Sequence, residues 1–360
     1  MAVTFEEIIG WLREDDPARL EELWARADRV RRENVGDEVH LRGLIEISNI
    51  CIRRCGYCGL RADNTALERY RMSAHEVKQC AEDTVRYGYG TVVIQAGEDV
   101  NITCDWMADI VRWIKAHTPL AVTLSLGERS EEELATWRQA GADRYLLRFE
   151  TSNRALFDRI HPPAPGSESC DRFAVLRSLK KLGYEVGSGV MIGIPGQSYA
   201  DLARSIELFS ELDLDMIGVG PYIAHPSTPL GQEPPRDSPD QVPNTEAMTY
   251  KVLALTRLAC PQANIPSTTA LATLNLAQGR ELGLERGANV CMPNVTPRKY
   301  RAMYEIYPAK ACINDDAGKC HSCMRARIES IGRSVGQGRG DSPNYLESSD
   351  EQTPADQPAE

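Results

Sequence analysis

The first 35 residues carry hydrophobic positions at three- and four-residue steps, a spacing typical of amphipathic helices. Two runs show it, FEEIIGWLRED and ARLEELWARADRVRREN. Asp15, Asp16 and Pro17 separate the runs, and proline suits the first turn of a helix. We therefore predict two N-terminal helices within residues 1–40.

From residue 43 the pattern changes, and short apolar runs rich in β-branched residues alternate with longer amphipathic runs. Several amphipathic runs end at a glycine, as at Gly141 and Gly183, where a left-handed helix cap is expected. The strand-like runs are GLIEIS, TVVIQAG, AVTLSLG, RYLLRFET, EVGSGVMIG, MIGVGPYI, NIPSTTAL and NVCMPNV.

Eight such units over residues 41–311 predict an α/β fold, a (β/α)8 TIM-type barrel whose site lies at the C-terminal ends of the strands. An open doubly wound sheet is the alternative, but the count reaches eight without a break in composition. Residues 312–333 form a cysteine-containing extension. Residues 334–360 are rich in Gly, Ser, Pro, Gln and acids, which predicts a disordered or loosely attached tail.

The charge and hydropathy of the chain limit the classes of protein to which it can belong. Six of the acids behind the net charge of −11 lie in residues 341–360, and this balance gives no reason to expect nucleic acid. No apolar run approaches the roughly 20 residues needed to span a bilayer, and the N-terminus does not resemble a signal peptide. We predict a soluble, cytoplasmic protein that does not bind membranes.

Three of the eleven cysteines, Cys51, Cys55 and Cys58, follow the first predicted strand with C-x3-C-x2-C spacing. A 4Fe-4S cluster held by three thiolates leaves one iron free to bind another ligand. Structural zinc prefers four protein ligands, so a zinc site here would need a distant histidine. The spacing favours the cluster.

With Tyr57 included, the motif C-x3-C-x-aromatic-C resembles the signature of the radical S-adenosylmethionine (SAM) enzymes. The resemblance implies that Cys51, Cys55 and Cys58 hold a catalytic 4Fe-4S cluster whose open iron binds SAM. An electron from that cluster would split the sulfonium and release a 5′-deoxyadenosyl radical, chemistry that belongs to the cofactors.

Residues 40–335 are similar to the HydE type of FeFe-hydrogenase maturation protein, most specifically in ANVCMPNVTPRKYRAMYEIYPAK. Methylornithine synthase and biotin synthase are related families. The resemblance implies an iron-bound, cysteine-derived substrate in assembly of the diiron subcluster of the H-cluster, with HydG, HydF and a reductase as partners. A methylornithine-synthase-like mutase is one alternative, and a non-catalytic iron–sulfur electron carrier or scaffold is another.

The same resemblance implies functional positions for other residues. Those predicted to bind SAM or its cluster are Tyr57, Gln95, Gly97, Glu98, Glu150, Arg172 and Tyr304. Those predicted to line the substrate chamber are Thr123, Ser125, Arg148, Thr268, Thr269 and Met292. Arg144, Arg148 and Glu150 alternate along one strand and should face the barrel interior, where a structural salt-bridge network is the alternative role. The segment Gly193–Ser198 resembles one that lies along the adenine, or is an ordinary strand-to-helix turn.

A second group, Cys312, Cys320 and Cys323, has C-x7-C-x2-C spacing. Some HydE-type proteins hold a second cluster on this pattern, so we predict a second 2Fe-2S or 4Fe-4S site. Zinc bound with His321, or an unoccupied set of thiols, is the alternative. The pattern does not decide whether Cys291 faces the chamber or the helices.

Overall fold

The computed structural model describes residues 3–163, 166, 169–234, 236–313 and 317–351. Its strands pair in parallel in the order β6-β5-β4-β3-β2-β1-β7, and β8 also pairs with β1. Their bounds are β1 (Glu38–Ser48), β2 (Thr91–Ala96), β3 (Ala121–Ser125), β4 (Arg144–Leu146), β5 (Glu185–Ile192), β6 (Met216–Pro221), β7 (Val290–Cys291) and β8 (Ser334–Val335).

Helices connect consecutive strands and cover the outer face of the sheet. None of the helices in the described ranges is long and apolar enough to cross a membrane. Their bounds are α1 (Phe5–Arg13), α2 (Pro17–Val35), α3 (Ala74–Arg86), α4 (Cys104–His117), α5 (Glu131–Gln139), α6 (Arg154–Ile160), α7 (Arg172–Lys181), α8 (Tyr199–Glu211), α9 (Glu246–Ala259), α10 (Thr269–Leu274), α11 (Gly279–Glu285), α12 (Arg298–Arg301), α13 (Ala317–Ser330) and α14 (Pro343–Glu351), with a short 3-10 helix at Leu230–Gln232.

Local sequence explains where these helices begin. Ser73, Ser130 and Ser198 each accept a hydrogen bond from the third residue of α3, α5 and α8, whose acidic side chain bonds back to the serine N–H. These capping boxes satisfy N–H groups that the helix leaves unpaired. The two predicted N-terminal helices are α1 and α2, separated at the N-cap residue Asp16.

The ring of strands closes between β6 and β7 through one extended segment. Met216 pairs with Asn264, and Pro266 pairs with Val290, both in parallel. The predicted barrel is therefore confirmed, but the run NIPSTTAL is wrong as a full strand. Only its first residues pair, because the side chain of Thr268 caps α10 and starts a helix.

The main core lies between the outer faces of the strands and the surrounding helices. Val92 and Ile94 of β2 and Val122 and Leu124 of β3 are fully buried there. Burying one such side chain stabilises the fold by roughly 1.5–3 kcal/mol. The alternate positions of the same strands face the barrel interior, which leaves that interior available for polar side chains.

The prediction that residues 334–360 form a disordered tail is wrong for residues 334–348. β8 extends the sheet beside β1, and residues 339–342 close the N-terminal end of the barrel. Fully buried Arg144 donates to the carbonyl of Arg339 at 3.0 Å and to Asp341 at 2.5 Å. The composition of this segment did not predict its role, because backbone carbonyls and one acid supply the contacts. Residues 352–360 lie outside the described residues.

The contacts of Arg144 decide between its two predicted roles in favour of the structural salt-bridge network. Its guanidinium donates to Glu185 and, at 2.7 Å, to the hydroxyl of Thr91. Glu185 in turn accepts from the N–H of Ser342 at 3.1 Å. Arg144 therefore belongs to a structural ion-pair network at the N-terminal end of the barrel, called the barrel floor here, whereas Glu150 lies beyond the C-terminal end of β4.

Replacing Asp341 by Asn tests this closure. Burial alone would raise the pKa of Asp341, but hydrogen bonds from Arg339 and the charge of Arg144 outweigh it and lower that pKa. The stabilisation is thus present above the ordinary aspartate pKa near ~4 and lost as pH falls through the lowered value. We expect Asp341→Asn to reduce the free energy of unfolding by about 1–3 kcal/mol at pH 7.

Urea denaturation at several pH values measures this difference, which should shrink below pH ~4. An equal difference at all pH values would contradict an ionic contribution from Asp341.

Candidate active site

The loop carrying Cys51, Cys55 and Cys58 leaves β1 at the C-terminal mouth of the barrel and is held by the backbones of three other segments. The N–H of Gly56 donates to the carbonyl of Ile160 at 2.7 Å, and its carbonyl accepts from Leu230 at 2.9 Å. The N–H of Gly59 donates to Ile306 at 3.0 Å. Segments following β4, β6 and β7 therefore fix the loop before any ligand binds.

The thiols of this loop lie in a partly enclosed environment. The Sγ atom of Cys51 accepts from the N–H groups of Arg53 and Glu98, both at 3.4 Å. Burial raises the pKa of Cys58 to about 12 and that of Cys55 well above its ordinary value. Thiols in such surroundings ionise when a bound cation replaces the proton, which suits metal ligands.

The donor set of the loop suits an iron–sulfur cluster. Three thiols from one loop can each supply a sulfur ligand and leave one iron of a 4Fe-4S cluster open, whereas structural zinc prefers four protein ligands. Within the described residues, the group of three donors lying within 4.8 Å of one another is Glu98, Glu128 and His161.

Gly97 lets two loops approach closely beside this site. A Cβ atom at Gly97 would lie 2.3 Å from the carbonyl oxygen of Ile50 and 2.9 Å from the Cβ of Cys51. The N–H of Gly97 donates to the carbonyl of Ser48 at 3.0 Å. The predicted glycine segment therefore lies directly against the cysteine loop.

Glu150 sits in a strained conformation at the same mouth. Its φ of 64° places it in the left-handed region that non-glycine residues rarely adopt. Its carboxylate accepts from the hydroxyl of Tyr57 at 3.5 Å and lies 3.2 Å from the Nε of Arg148. Strain at a buried carboxylate is typical of functional positions.

Two other predicted cofactor residues lie one layer deeper. The side-chain amide of Gln95 donates to the hydroxyl of Tyr304 at 3.1 Å. Tyr304 is buried, and burial raises its pKa well above the ordinary value, so its hydroxyl stays protonated. Gln95 also lines the cavity of the barrel interior, so this hydrogen bond joins the cavity wall to Tyr304.

Arg172, the first residue of α7, points into the site and donates hydrogen bonds to three other residues. Its Nε donates to Glu128 at 2.9 Å, its Nη2 donates to Nε2 of His161 at 2.5 Å, and its Nη1 donates to the carbonyl of Arg148. Burial and the charge of Arg172 lower the pKa of His161 to about 2, so that ring is neutral and accepts.

Arg53, inside the cysteine motif, completes this arrangement. Its Nε donates to Glu98 at 2.5 Å, and its Nη2 donates to Glu128. Sequence reasoning did not assign roles to Arg53, Glu128 or His161. The position of Glu128 in the chain could have indicated a role, because Glu128 follows β3 at the end of the barrel where active sites form.

A cavity of about 210 Å³ occupies the barrel interior beneath the cysteine loop. All six residues predicted to line a substrate chamber line it, namely Thr123, Ser125, Arg148, Thr268, Thr269 and Met292. Sequence reasoning missed other lining residues, among them Arg42, Glu46, Tyr307 and Lys310. In the described part of the chain, Nε of Arg42 and Oγ1 of Thr123 are buried without a hydrogen-bond partner.

Lys310 and Glu46 form a buried ion pair within this chamber. Glu46 also accepts from the amide of Asn294 at 2.8 Å, and the Lys310 ammonium lies over the ring of Tyr304. Because these two charges offset each other, the unpaired donors of Arg42 and Thr123 leave the chamber suited to a negatively charged or carbonyl-bearing ligand.

The second cysteine group lines a separate cavity, also of about 210 Å³, on the outer side of α10 and α11. The thiols of Cys312 and Cys320 are hydrogen-bonded neighbours, and Cys323 lies beside Arg327. His321 is turned away, with its Nδ1 3.1 Å from the hydroxyl of Tyr89.

Cys291 is fully buried and hydrogen-bonds to Arg280 on α11. It therefore faces the helices and not the chamber, which decides a point that the sequence left open.

The segment Gly193–Ser198 is a strand-to-helix turn. The side chain of Gln197 accepts from the N–H of Gly193 at 2.7 Å and donates to the carbonyl of Met191 at 3.0 Å. Ser198 then caps α8. These contacts account for its shape, and contact with an adenine stays a prediction.

Comparison with known proteins places this geometry in a family. The Radical SAM superfamily model matches residues 45–209. The FeFe hydrogenase maturase subunit HydE of Thermotoga maritima is 45% identical over 320 residues, covering 89% of this chain and 88% of that protein. The 3-methylornithine synthase of Methanosarcina acetivorans is 26% identical, covering 75% and 73%.

Among solved structures, methylornithine synthase (PylB) has a TM-score of 0.78 at 22% identity, covering 94% of this chain and 95% of that chain. This likeness shows a shared fold. Together with the thiols at the barrel mouth, the comparisons identify a radical SAM protein, and its family implies a 4Fe-4S cluster and SAM as cofactors. Within that superfamily the chain belongs to the HydE family of FeFe-hydrogenase maturases, which are enzymes.

Replacing Gly97 by Ala tests the close approach of the two loops. The new methyl group would meet the backbone of Ile50, which cannot move without displacing Cys51. We expect several-fold less iron per protein after anaerobic reconstitution, with far-ultraviolet circular dichroism unchanged.

Gly10→Ala in α1 is the matched control, because nothing lies within 4 Å of a Cβ at that position. Iron loading by Gly97→Ala equal to that of this control would rule out the steric role.

Proposed function

We propose that this protein reductively cleaves SAM and directs the resulting radical to an iron-bound, cysteine-derived precursor of the H-cluster diiron subcluster. One observation carries the proposal: three thiols on a fixed loop face the mouth of a closed chamber lined by six residues predicted from the family. Membership of the HydE family supports the same reaction.

Cys51, Cys55 and Cys58 would hold the cluster through their sulfur atoms. When bound, the cluster supplies one electron that breaks the C5′–sulfonium bond of SAM, giving methionine and a 5′-deoxyadenosyl radical. Gly97 would admit the methionyl group close to the backbone, and the guanidinium of Arg172 would bind its carboxylate in a fork-like geometry.

The buried carboxylate of Glu150 would accept hydrogen bonds from polar groups of SAM. Its neighbour Tyr57 would orient that carboxylate, since the two side chains already contact each other. Gln95 and Tyr304 would help to exclude water between the radical source and the substrate, which protects a reactive species from side reactions.

The chamber would hold the substrate below the radical source. The six predicted residues, Thr123, Ser125, Arg148, Thr268, Thr269 and Met292, are part of its lining. Donors such as the Thr123 hydroxyl would bind carboxylate, carbonyl or cyanide groups of a small organometallic precursor. The family relationship supports HydG as the source of that precursor, HydF as the recipient of the product and a separate reductase as the electron donor.

A methylornithine-synthase-like mutase is the second candidate function, supported by the shared fold. We rank it lower because the relative named HydE is far more similar in sequence than the methylornithine synthases. Reduced, reconstituted protein given SAM and a mixture of free amino acids should form no methylornithine under the present proposal.

We also propose a second iron–sulfur cluster on Cys312, Cys320 and Cys323. Their common cavity and the orientation of His321 toward Tyr89 support iron–sulfur binding over a zinc site completed by that histidine. Its cavity shares no lining residue with the chamber, which supports a role outside the radical chemistry.

Replacing Cys55 by Ala should abolish formation of 5′-deoxyadenosine from SAM after anaerobic reconstitution and reduction, because two thiolates cannot hold the cluster with one open iron. Chromatographic quantification of 5′-deoxyadenosine measures this loss.

Cys320→Ala, which removes a thiol of the second group, is the comparison variant and should retain most of the cleavage. Equal losses from both substitutions would show that the second group takes part in catalysis. A wild-type protein that never yields 5′-deoxyadenosine would overturn the proposed function itself.

A further inference from the structure

We propose that Glu128 is a positioning residue that couples the cysteine loop to the guanidinium of Arg172. This coupling would hold the cluster and the SAM carboxylate at a fixed distance from each other. The inference rests on the proposed function, because Arg172 is assigned there to the carboxylate. It adds a residue and a physical link that the sequence motifs do not contain.

The carboxylate of Glu128 is shared between two arginines. One oxygen, Oε1, accepts from Nε of Arg172 at 2.9 Å, and the other, Oε2, accepts from Nη2 of Arg53. The three side chains are 7–10% exposed. A carboxylate that bonds a different guanidinium through each oxygen fixes the distance between them.

These three residues come from separate parts of the chain. Arg53 lies between Cys51 and Cys55, Glu128 follows β3, and Arg172 begins α7. The thiol of Cys170 also hydrogen-bonds to Glu128. One side chain thus connects the metal-binding loop with the element that presents Arg172.

The turn before Glu128 is built for this contact. Gly127 has a φ of 78°, and a Cβ there would lie 2.1 Å from Cγ of Glu98. Glu98 can therefore pack against that glycine while it accepts from Arg53 at 2.5 Å. The two acids approach Arg53 from adjacent strand ends, and each binds a different nitrogen.

The charges of this group offset one another. Two guanidiniums face two carboxylates, and His161, which is neutral, adds only an acceptor for Arg172. Loss of Glu128 would leave Arg172 bonded to neutral protein groups alone, a costly state for a buried cation.

The same donor atoms could be mistaken for a metal site. Atoms of Glu98, Glu128 and His161 lie within 4.8 Å of one another. However, Arg53 donates to both glutamates, and Arg172 donates to Glu128 and to Nε2 of His161, so two cations already balance the two carboxylates. The group therefore orients arginines and needs no cation of its own.

Arg172 retains capacity for a ligand while so oriented. Its Nη1 and Nη2 each carry two N–H groups and use one in the bonds to Arg148 and His161. The remaining pair can meet a carboxylate, provided that Nε stays fixed by Glu128.

Two substitutions test the proposal. Glu128→Gln keeps the shape but removes the charge, and Glu128→Asp keeps the charge but is one methylene too short to reach both arginines. For each variant, calorimetry measures the Kd for SAM on reconstituted protein. Hydrogen exchange measures protection of residues 51–61 and 169–176 in iron-free protein.

We expect both variants to raise the Kd for SAM about tenfold, corresponding to roughly 1.4 kcal/mol, with kcat changed less than twofold. Both segments should exchange faster in iron-free protein, since their shared anchor is lost. Glu132→Gln, an exposed acid on α5, is the matched control and should behave like the wild type.

A Glu128→Gln variant with the Kd and exchange rates of the wild type would overturn the proposal. Wild-type values in Glu128→Asp would also overturn it, because they would show that Glu128 balances charge without positioning the arginines. Failure of the proposed function is distinguishable, because the wild type itself would then not bind or cleave SAM. The exchange comparison in iron-free protein would still decide whether Glu128 couples the two segments.

Discussion

Charged side chains inside a ring of strands lie in a medium of low dielectric constant, where an unpaired charge is costly. Charge pairing therefore recurs along the whole barrel, from its N-terminal floor to its C-terminal mouth. At the floor, Arg144 is balanced by Glu185 and Asp341. In the middle, Lys310 is paired with Glu46. At the mouth, two arginines share two glutamates around the cysteine loop.

Where this pairing is incomplete, the structure offers binding capacity. In the described residues, Nε of Arg42 and Oγ1 of Thr123 are buried without a hydrogen-bond partner, and both residues line the chamber. The spare N–H groups of Arg172 lie near the thiols that would hold the cluster. A negatively charged ligand would supply the hydrogen-bond acceptors that these donors lack. This requirement connects the electrostatics of the barrel to its proposed chemistry.

The closure of the floor shapes the chamber as much as the residues that line it. The carbonyl of Gly340 accepts from Arg42 at 3.0 Å and from the amide of Asn264 at 3.0 Å. The C-terminal segment therefore seals the end opposite the cysteine loop and holds a lining residue in place. Access to the chamber is left to the mouth, where a cofactor would sit between substrate and solvent.

The sequence by itself determined the periodic features: the helix and strand alternation, the cysteine spacing and, through family resemblance, the six residues that line one cavity. The alternation and the spacing are local patterns of a few residues, whereas the six cavity residues came from the resemblance alone. Only the tertiary structure decided that Arg144 serves the floor, that residues 334–348 are ordered, that Cys291 faces the helices and that Glu128 joins two arginines. Each of these depends on partners brought together from distant strand ends, and a charged residue's partner cannot be read from its own neighbours in the chain.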